Sequence, residues 1–217
     1  MIGPSAAKNA IAIGAVNADK TMSSYSNWGP TDDGRVKPDI VARGTGIDSA
    51  QAVHAAMGAL SNSGYSGSGD NSSGTSYSSP AAAAGGLLLQ EYFHSLNTGY
   101  MRSSTLKALM LGTAEDLGAP GPDYKFGWGL LNVEKAALAI KKRSPLGATL
   151  TTSTGSIIEE IATNPAADST AEITRTVFAK GGEPLVVNIA WIDDEGTEQV
   201  AAEGIDPIKR GWCTTLM

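Results

Sequence analysis

A chain of 217 residues with 41% hydrophobic side chains holds one ordinary domain and a small second one, with enough apolar surface for a core. A net charge of -6 excludes a nucleic-acid surface, and the one basic cluster, Lys141-Lys142-Arg143, reads as the cationic end of a helix. No apolar run approaches a membrane span, and a single cysteine, Cys213, with two histidines leaves no internal disulfide and no Cys/His metal site, so neither metal nor cofactor is expected.

Met1-Ile2-Gly3-Pro4 has no charged n-region and no apolar h-region, so it reads as an internal start with no signal peptide. "NAIAIGAV" (9–16) is a short β-branched run, the pattern of a buried strand. "SNWGPTDDGRVKP" (26–38) is an irregular loop dense in Gly, Pro and Asp, and "DIVA" (39–42) is a second buried strand. Within that loop "TDDG" (31–34) suits either calcium or a solvated turn, and the turn is the expected reading. Trp28 and Trp128 are expected to pack in loops or core rather than to bind sugar. Residues 49–73 are small, polar and ambiguous, a hairpin or a long loop.

From Ser76 to about Leu96 the Ala- and Leu-rich composition reads as one helix, expected to be central and largely buried. "SSTLKALMLGTA" (103–114) is a second helix with Ser103 or Ser104 as N-cap. "NVEKAALAIKKR" is a third, with Asn132 as N-cap, Glu134 in its first turn and cations in its last. Strands followed by helices on this scale indicate an α/β layer. After Pro145 the texture becomes rich in Thr, Val and Ile, so residues 1–145 and 146–217 are expected to be separate domains. The second has length for about four strands, fewer than the roughly seven of a closed sandwich.

Ser76 lies where a Gly- and Ser-rich loop enters the first helix. One reading is an N-cap, for which serine is a preferred residue. The other is a nucleophile beside unpaired backbone N–H groups at the positive end of the helix dipole, where an oxyanion is stabilised. Gly74 would then let a substrate backbone pass close by, with Thr75 beside it.

Gly74-Thr75-Ser76-x-x-Ser79-Pro80, followed by Ala83, resembles the nucleophile motif of the subtilisin-like serine proteases. "KNAIAIGAVN", "SSYSNWGPTDDGRVKPDIVARGTGIDSA", "SSTLKALMLGTAEDLG" and "GPDYKFGWGLLNVEKAA" look like consecutive segments of the C-terminal half of that catalytic domain. "GGEPLVVNIAWIDDEG" looks like the start of the jelly-roll domain that follows it in some bacterial members. The resemblance implies an incomplete subtilisin-like parallel sheet with helices, followed by a partial β-sandwich. It also implies Ser76 as nucleophile with its own N–H as an oxyanion donor. The family's aspartate, histidine and oxyanion asparagine belong to an N-terminal half with no counterpart here, so the chain looks cut at both ends. Family members are mostly secreted. Arg43 replaces a proline usual in the turn after the second strand, and a less rigid loop is expected. Ala84 replaces a usual glycine, which tightens the space against a neighbouring backbone.

His94 lies 18 residues beyond Ser76 on the same helix, about 27 Å away at 1.5 Å per residue, too far to serve as its base. His54 lies in the ambiguous segment and is the candidate base that can fold back. Asp70 and Lys107 are weaker candidates, with solvated surface positions as the default. The expected function is a serine hydrolase with weak, promiscuous hydrolysis of activated esters rather than efficient proteolysis, its substrate a small ester or peptide. The alternatives are a non-catalytic assembly module and one half of a two-chain protease. Open sheet edges, for example along 185–191, lead to the further expectation of a homo-oligomer.

Overall fold

The computed structural model describes residues 3–47, 72–143, 149–150, 156–161, 174–179, 182 and 185–192. The chain divides into two compact units, Met1–Ala83 with Asp116–Leu130, and Ala84–Glu115 with Leu131–Met217. The boundary expected near 144–147 falls on residues outside the described ones.

In the first unit a 3-10 turn, Gly3–Ala6, precedes β1 (Ile13–Val16), which pairs in parallel with β2 (Ile40–Arg43), Ile13 facing Ile40 and Val16 facing Arg43. Leu130 bridges to Val41 on the far side of β2, again in parallel, so β2 is flanked on both sides. Val16, Val41 and Phe126 form the buried cluster, with Met22, Leu117 and Leu130 packed against it. β-branched residues suit this arrangement because both strands are covered on their faces.

The start of the sheet is fixed by a buried ion pair. Lys37 Nζ lies 2.5 Å from Asp39 Oδ2, with the two side chains only 3% and 6% exposed. The same carboxylate oxygen accepts the Ala12 backbone N–H at 2.6 Å, and Lys37 Nζ also donates to the Ala10 carbonyl at 3.0 Å. Asp39 thus ties the entry of β2 to that of β1. Trp128 N–H donates to the Asp39 carbonyl at 2.9 Å, which brings the 127–130 turn against β2. Gly127 permits that approach: its φ is +62°, and a Cβ there would run into the Pro38 and Asp39 carbonyl oxygens.

The 26–38 loop is irregular, as its composition indicates. In its "TDDG" turn, Asp33 accepts Arg35 Nε–H on both carboxylate oxygens, at 2.9 and 2.7 Å, and the Thr31 hydroxyl on one of them. Partial burial raises the Asp33 pKa, but the hydrogen bonds from Arg35 and Thr31 outweigh it and hold the carboxyl below its ordinary value. That carboxylate is committed to a turn. Trp28 is not packed away: it is 50% exposed, with the Lys125 ammonium 5.2 Å above its ring.

The first helix, α1, runs Thr75–Leu96, longer by one residue than the sequence suggests. The expectation that it is largely buried is wrong. Ser78, Ala82, Gly85, Gly86, Leu89 and Phe93 are buried, whereas Ser76, Pro80, Ala83 and Leu87 on the opposite face are exposed, Leu87 at 69%. Alanine composition conceals this division, because Ala is placed on either face at little cost.

In the second unit, Gly85 meets Val133 and Leu131, and Gly86 meets Leu106 and Met110, so α1 packs closely there on α2 (Ser103–Gly112) and on the start of α3 (Val133–Lys141). Ala84 is exposed, so the crowding expected at that position does not arise among the described residues. Gln90 pins the α1–α2 loop through both amide atoms, each 2.9 Å from the Met101 backbone. Asn132 caps α3 as expected, its side chain accepting Lys135 N–H at 2.8 Å. On α2 the expected serine cap is absent: Arg102 occupies the N-cap and makes no side-chain cap bond. Glu160 serves instead, accepting Arg102 N–H at 2.7 Å and the Thr105 hydroxyl at 2.5 Å, a carboxylate at the positive end of the helix.

Beyond α3 the described residues hold β3 (Thr149–Leu150) and β4 (Phe178–Ala179), paired in parallel. Residues 185–192, strand-like in sequence, are not in a strand, and Leu185, Val186, Val187 and Ile189 are 51–68% exposed. The described residues of 146–217 therefore do not display a jelly roll.

Candidate active site

The C-terminal end of β2 and the N-terminus of α1 meet at one glycine. Gly44 N–H donates to the Val16 carbonyl at 3.1 Å, and the Gly44 carbonyl accepts Gly74 N–H at 2.9 Å. A Cβ at Gly44 would lie 2.8 Å from Ala15 Cβ and from the Gly74 carbonyl oxygen, so only glycine lets the two backbones approach. The turn before α1 is thereby fastened beyond the carboxyl ends of parallel strands, the place where open α/β sheets bind ligands. Arg43 reinforces it. Rather than leaving the loop slack, its guanidinium donates to the Thr45 carbonyl at 3.3 Å and the Gly46 carbonyl at 3.1 Å.

Helical rotation then sorts the serines. Ser78 is fully buried against Gly44, its hydroxyl donating to the Thr75 carbonyl at 3.2 Å. Ser76, two residues and about 200° away, faces outward and is exposed. Its Oγ has no hydrogen-bond partner among the described residues, and neither does its backbone N–H. Tyr77 N–H is already committed to the Gly74 carbonyl at 3.1 Å. Pro80 lacks the amide that would bond the Ser76 carbonyl in a regular helix. Ser76 is the second residue of the helix and makes no capping bond.

Gly74 behaves differently from Gly44. Its φ is not in the left-handed region, and an added Cβ would meet nothing closer than 3.7 Å. The fold does not need a glycine there. Thr75 is half-buried, its carbonyl taken by Ser78.

His94 sits on the same helix as Ser76, eighteen residues on, stacked on Tyr100 with ring centroids 4.4 Å apart and Nδ1 3.3 Å from the Gly99 carbonyl oxygen. It is an exposed helix-end residue. His54 and Asp70 lie outside the described residues, and Lys107 sits on α2. Among the described residues no group of three His, Cys, Asp or Glu side chains can hold a metal ion, and no helix is long and apolar enough to cross a membrane. A separate open cleft is lined by Met22, Ser23, Ser24, Ser26, Asn27, Trp28 and Lys125, none of them from the 72–76 turn.

The family model described as the Subtilase family matches residues 3–129, more than half of the chain. The chain belongs to the subtilase family. Members of this family are subtilisin-like serine hydrolases, and the matched span includes Gly74, Thr75 and Ser76. Among curated relatives, the Neisserial autotransporter lipoprotein NalP of Neisseria meningitidis serogroup B is 45% identical over 64 residues, 29% of this chain and 5% of the relative. The serine protease/ABC transporter B family protein tagD of Dictyostelium discoideum is 36% identical over 123 residues, 48% of this chain and 6% of the relative. Among solved structures, the patellamide maturation protease PatA superposes with a TM-score of 0.47 at 25% identity, covering 64% of this chain and 45% of that one. A lanthipeptide protease gives 0.45 at 19% identity, covering 62% and 42%. The chain thus spans a small fraction of these curated relatives and under half of these solved subtilase-like chains.

Proposed function

We propose that Ser76 is the nucleophile of a serine hydrolase site acting on activated esters and small peptides with good leaving groups. The observation behind this reading is an exposed hydroxyl that, like its own backbone N–H, has no partner among the described residues, at a helix N-terminus on a turn tied to the end of β2. Ser76 Oγ attacks the substrate carbonyl carbon, and the oxyanion that forms lies beside Ser76 N–H and the helix dipole. Collapse expels the leaving group and leaves an acyl-serine, which water then hydrolyses. A phenolate leaves without a proton, whereas an amine must be given one, so ester turnover outpaces peptide cleavage. His54 is the base of this reading within the chain. The distance of His94 along α1 supports a second reading, in which the histidine and aspartate come from another polypeptide and the chain forms one half of a two-part protease.

Gly74 supplies the test. With no packing demand at that position, Gly74→Ala should leave stability within about 0.5 kcal/mol of the parent. A methyl in the path of the substrate backbone should lower turnover of p-nitrophenyl acetate by on the order of tenfold. Thermal melts and initial rates on the two proteins check both halves, and an unchanged rate removes Gly74 from the substrate path.

The exposed apolar side chains on α1 and along 185–192 add an assembly proposal, in which a second copy of the chain covers them. Light scattering at micromolar concentration is expected to give a dimer mass, and a monomer mass would refute it.

A further inference from the structure

We propose that Tyr25 and Thr45 are positioning residues for the Ser76 turn, a role whose catalytic consequence rests on the reading of Ser76 given above. The Gly44 carbonyl accepts two donors, Gly74 N–H at 2.9 Å and the Tyr25 hydroxyl at 2.7 Å. Because a carbonyl only accepts, the single Tyr25 proton is committed to it. The 2.7 Å contact between Tyr25 and Thr45 therefore runs from Thr45 Oγ1 to the phenol oxygen. Thr45 has then spent its own proton, so the 2.7 Å contact with Ser23 runs from Ser23 to Thr45, and Ser23 shares its one proton between Thr45 and Asn17 Oδ1, 3.1 Å away.

The result is a one-way chain of hydroxyls, Ser23 to Thr45 to Tyr25 to the Gly44 carbonyl. Its origin is anchored, since Ser23 is 1% exposed and its N–H donates to the Ala15 carbonyl at 3.0 Å. Each link in such a chain polarises the next, so the whole acts on the terminal acceptor. That acceptor is the atom that holds Gly74, two residues before the nucleophile. The chain thus fixes where the Ser76 hydroxyl stands relative to the end of β2, without touching substrate.

Tyr25→Phe keeps the ring and removes the last link. Amide hydrogen exchange at Gly74 is expected to quicken by roughly tenfold with the melting midpoint unchanged. On p-nitrophenyl acetate kcat is expected to fall by about tenfold while KM stays the same, as a misplaced reacting group demands. Thr45→Val should give the same result, Thr45→Ser should restore the parent values, and the Tyr25→Phe/Thr45→Val pair should be no worse than either alone. Unchanged Gly74 exchange in both Tyr25→Phe and Thr45→Val overturns the proposal. If the parent protein neither hydrolyses the ester nor reacts with a fluorophosphonate, the reading of Ser76 fails, while Gly74 exchange still decides the positioning role.

Discussion

Asp39→Ala is expected to destabilise the protein by about 3–5 kcal/mol, because it strands a buried ammonium. Lys37 and Asp39 are almost wholly buried, and the Asp39 oxygen that faces Lys37 Nζ at 2.5 Å also takes the Ala12 N–H. Removing the carboxylate leaves a charge and an amide donor short of their acceptor at the entry of both strands. A loss of that size is a large part of the stability of an ordinary domain. Lys37→Met should cost less, since the Ala12 N–H keeps its acceptor. The double replacement should recover part of the loss of Asp39→Ala, because no unmatched charge is then buried. Urea titrations of the three variants measure this. A change under about 1 kcal/mol for Asp39→Ala would show that the pair does not hold the sheet together.

Ser76→Ala is expected to lower p-nitrophenyl acetate hydrolysis by roughly hundredfold or more, to the level of buffer, with the fold intact. The two effects separate because of where the hydroxyl is. A capping serine loses about 0.5–2 kcal/mol on replacement by alanine. Ser76 Oγ makes no such bond and the side chain is exposed, so the melt should move by no more than about 0.5 kcal/mol. Hydrolysis surviving in Ser76→Ala would place the nucleophile elsewhere.

What the sequence discloses about this fold follows from how local each cause is. β1, β2 and the Asn132 cap of α3 are legible because short β-branched runs and a cap residue before an apolar period carry their own signal. The one-sided burial of α1 is not, because a run of alanines has no hydrophobic face to read. The α2 terminus misleads for another reason: Glu160, which serves it, is 58 residues from Arg102. Residues 185–192 show the limit of β-propensity, which measures fit to a neighbouring strand, and among the described residues they pair with none.

The candidate site divides in the same way. Gly74-Thr75-Ser76 stands out in the sequence, and the rise of a helix alone puts His94 out of reach of Ser76. The chain of hydroxyls through Tyr25 and Thr45 leaves no trace in spacing, since it joins three separate loops through a backbone carbonyl. The pairing of Lys37, at the end of the irregular loop, with Asp39, at the start of the second strand, is likewise not legible, because its further partners, the Ala10 carbonyl and the Ala12 N–H, lie 27 residues away.

The most direct measurement is peptide mapping of the protein after treatment with a fluorophosphonate. One phosphonyl adduct per chain, carried by Ser76 and lost in Ser76→Ala with the buried Ser78 unmodified, is the expected result. An unlabelled Ser76, or an adduct only on another residue, would contradict the assignment of Ser76 as the nucleophile.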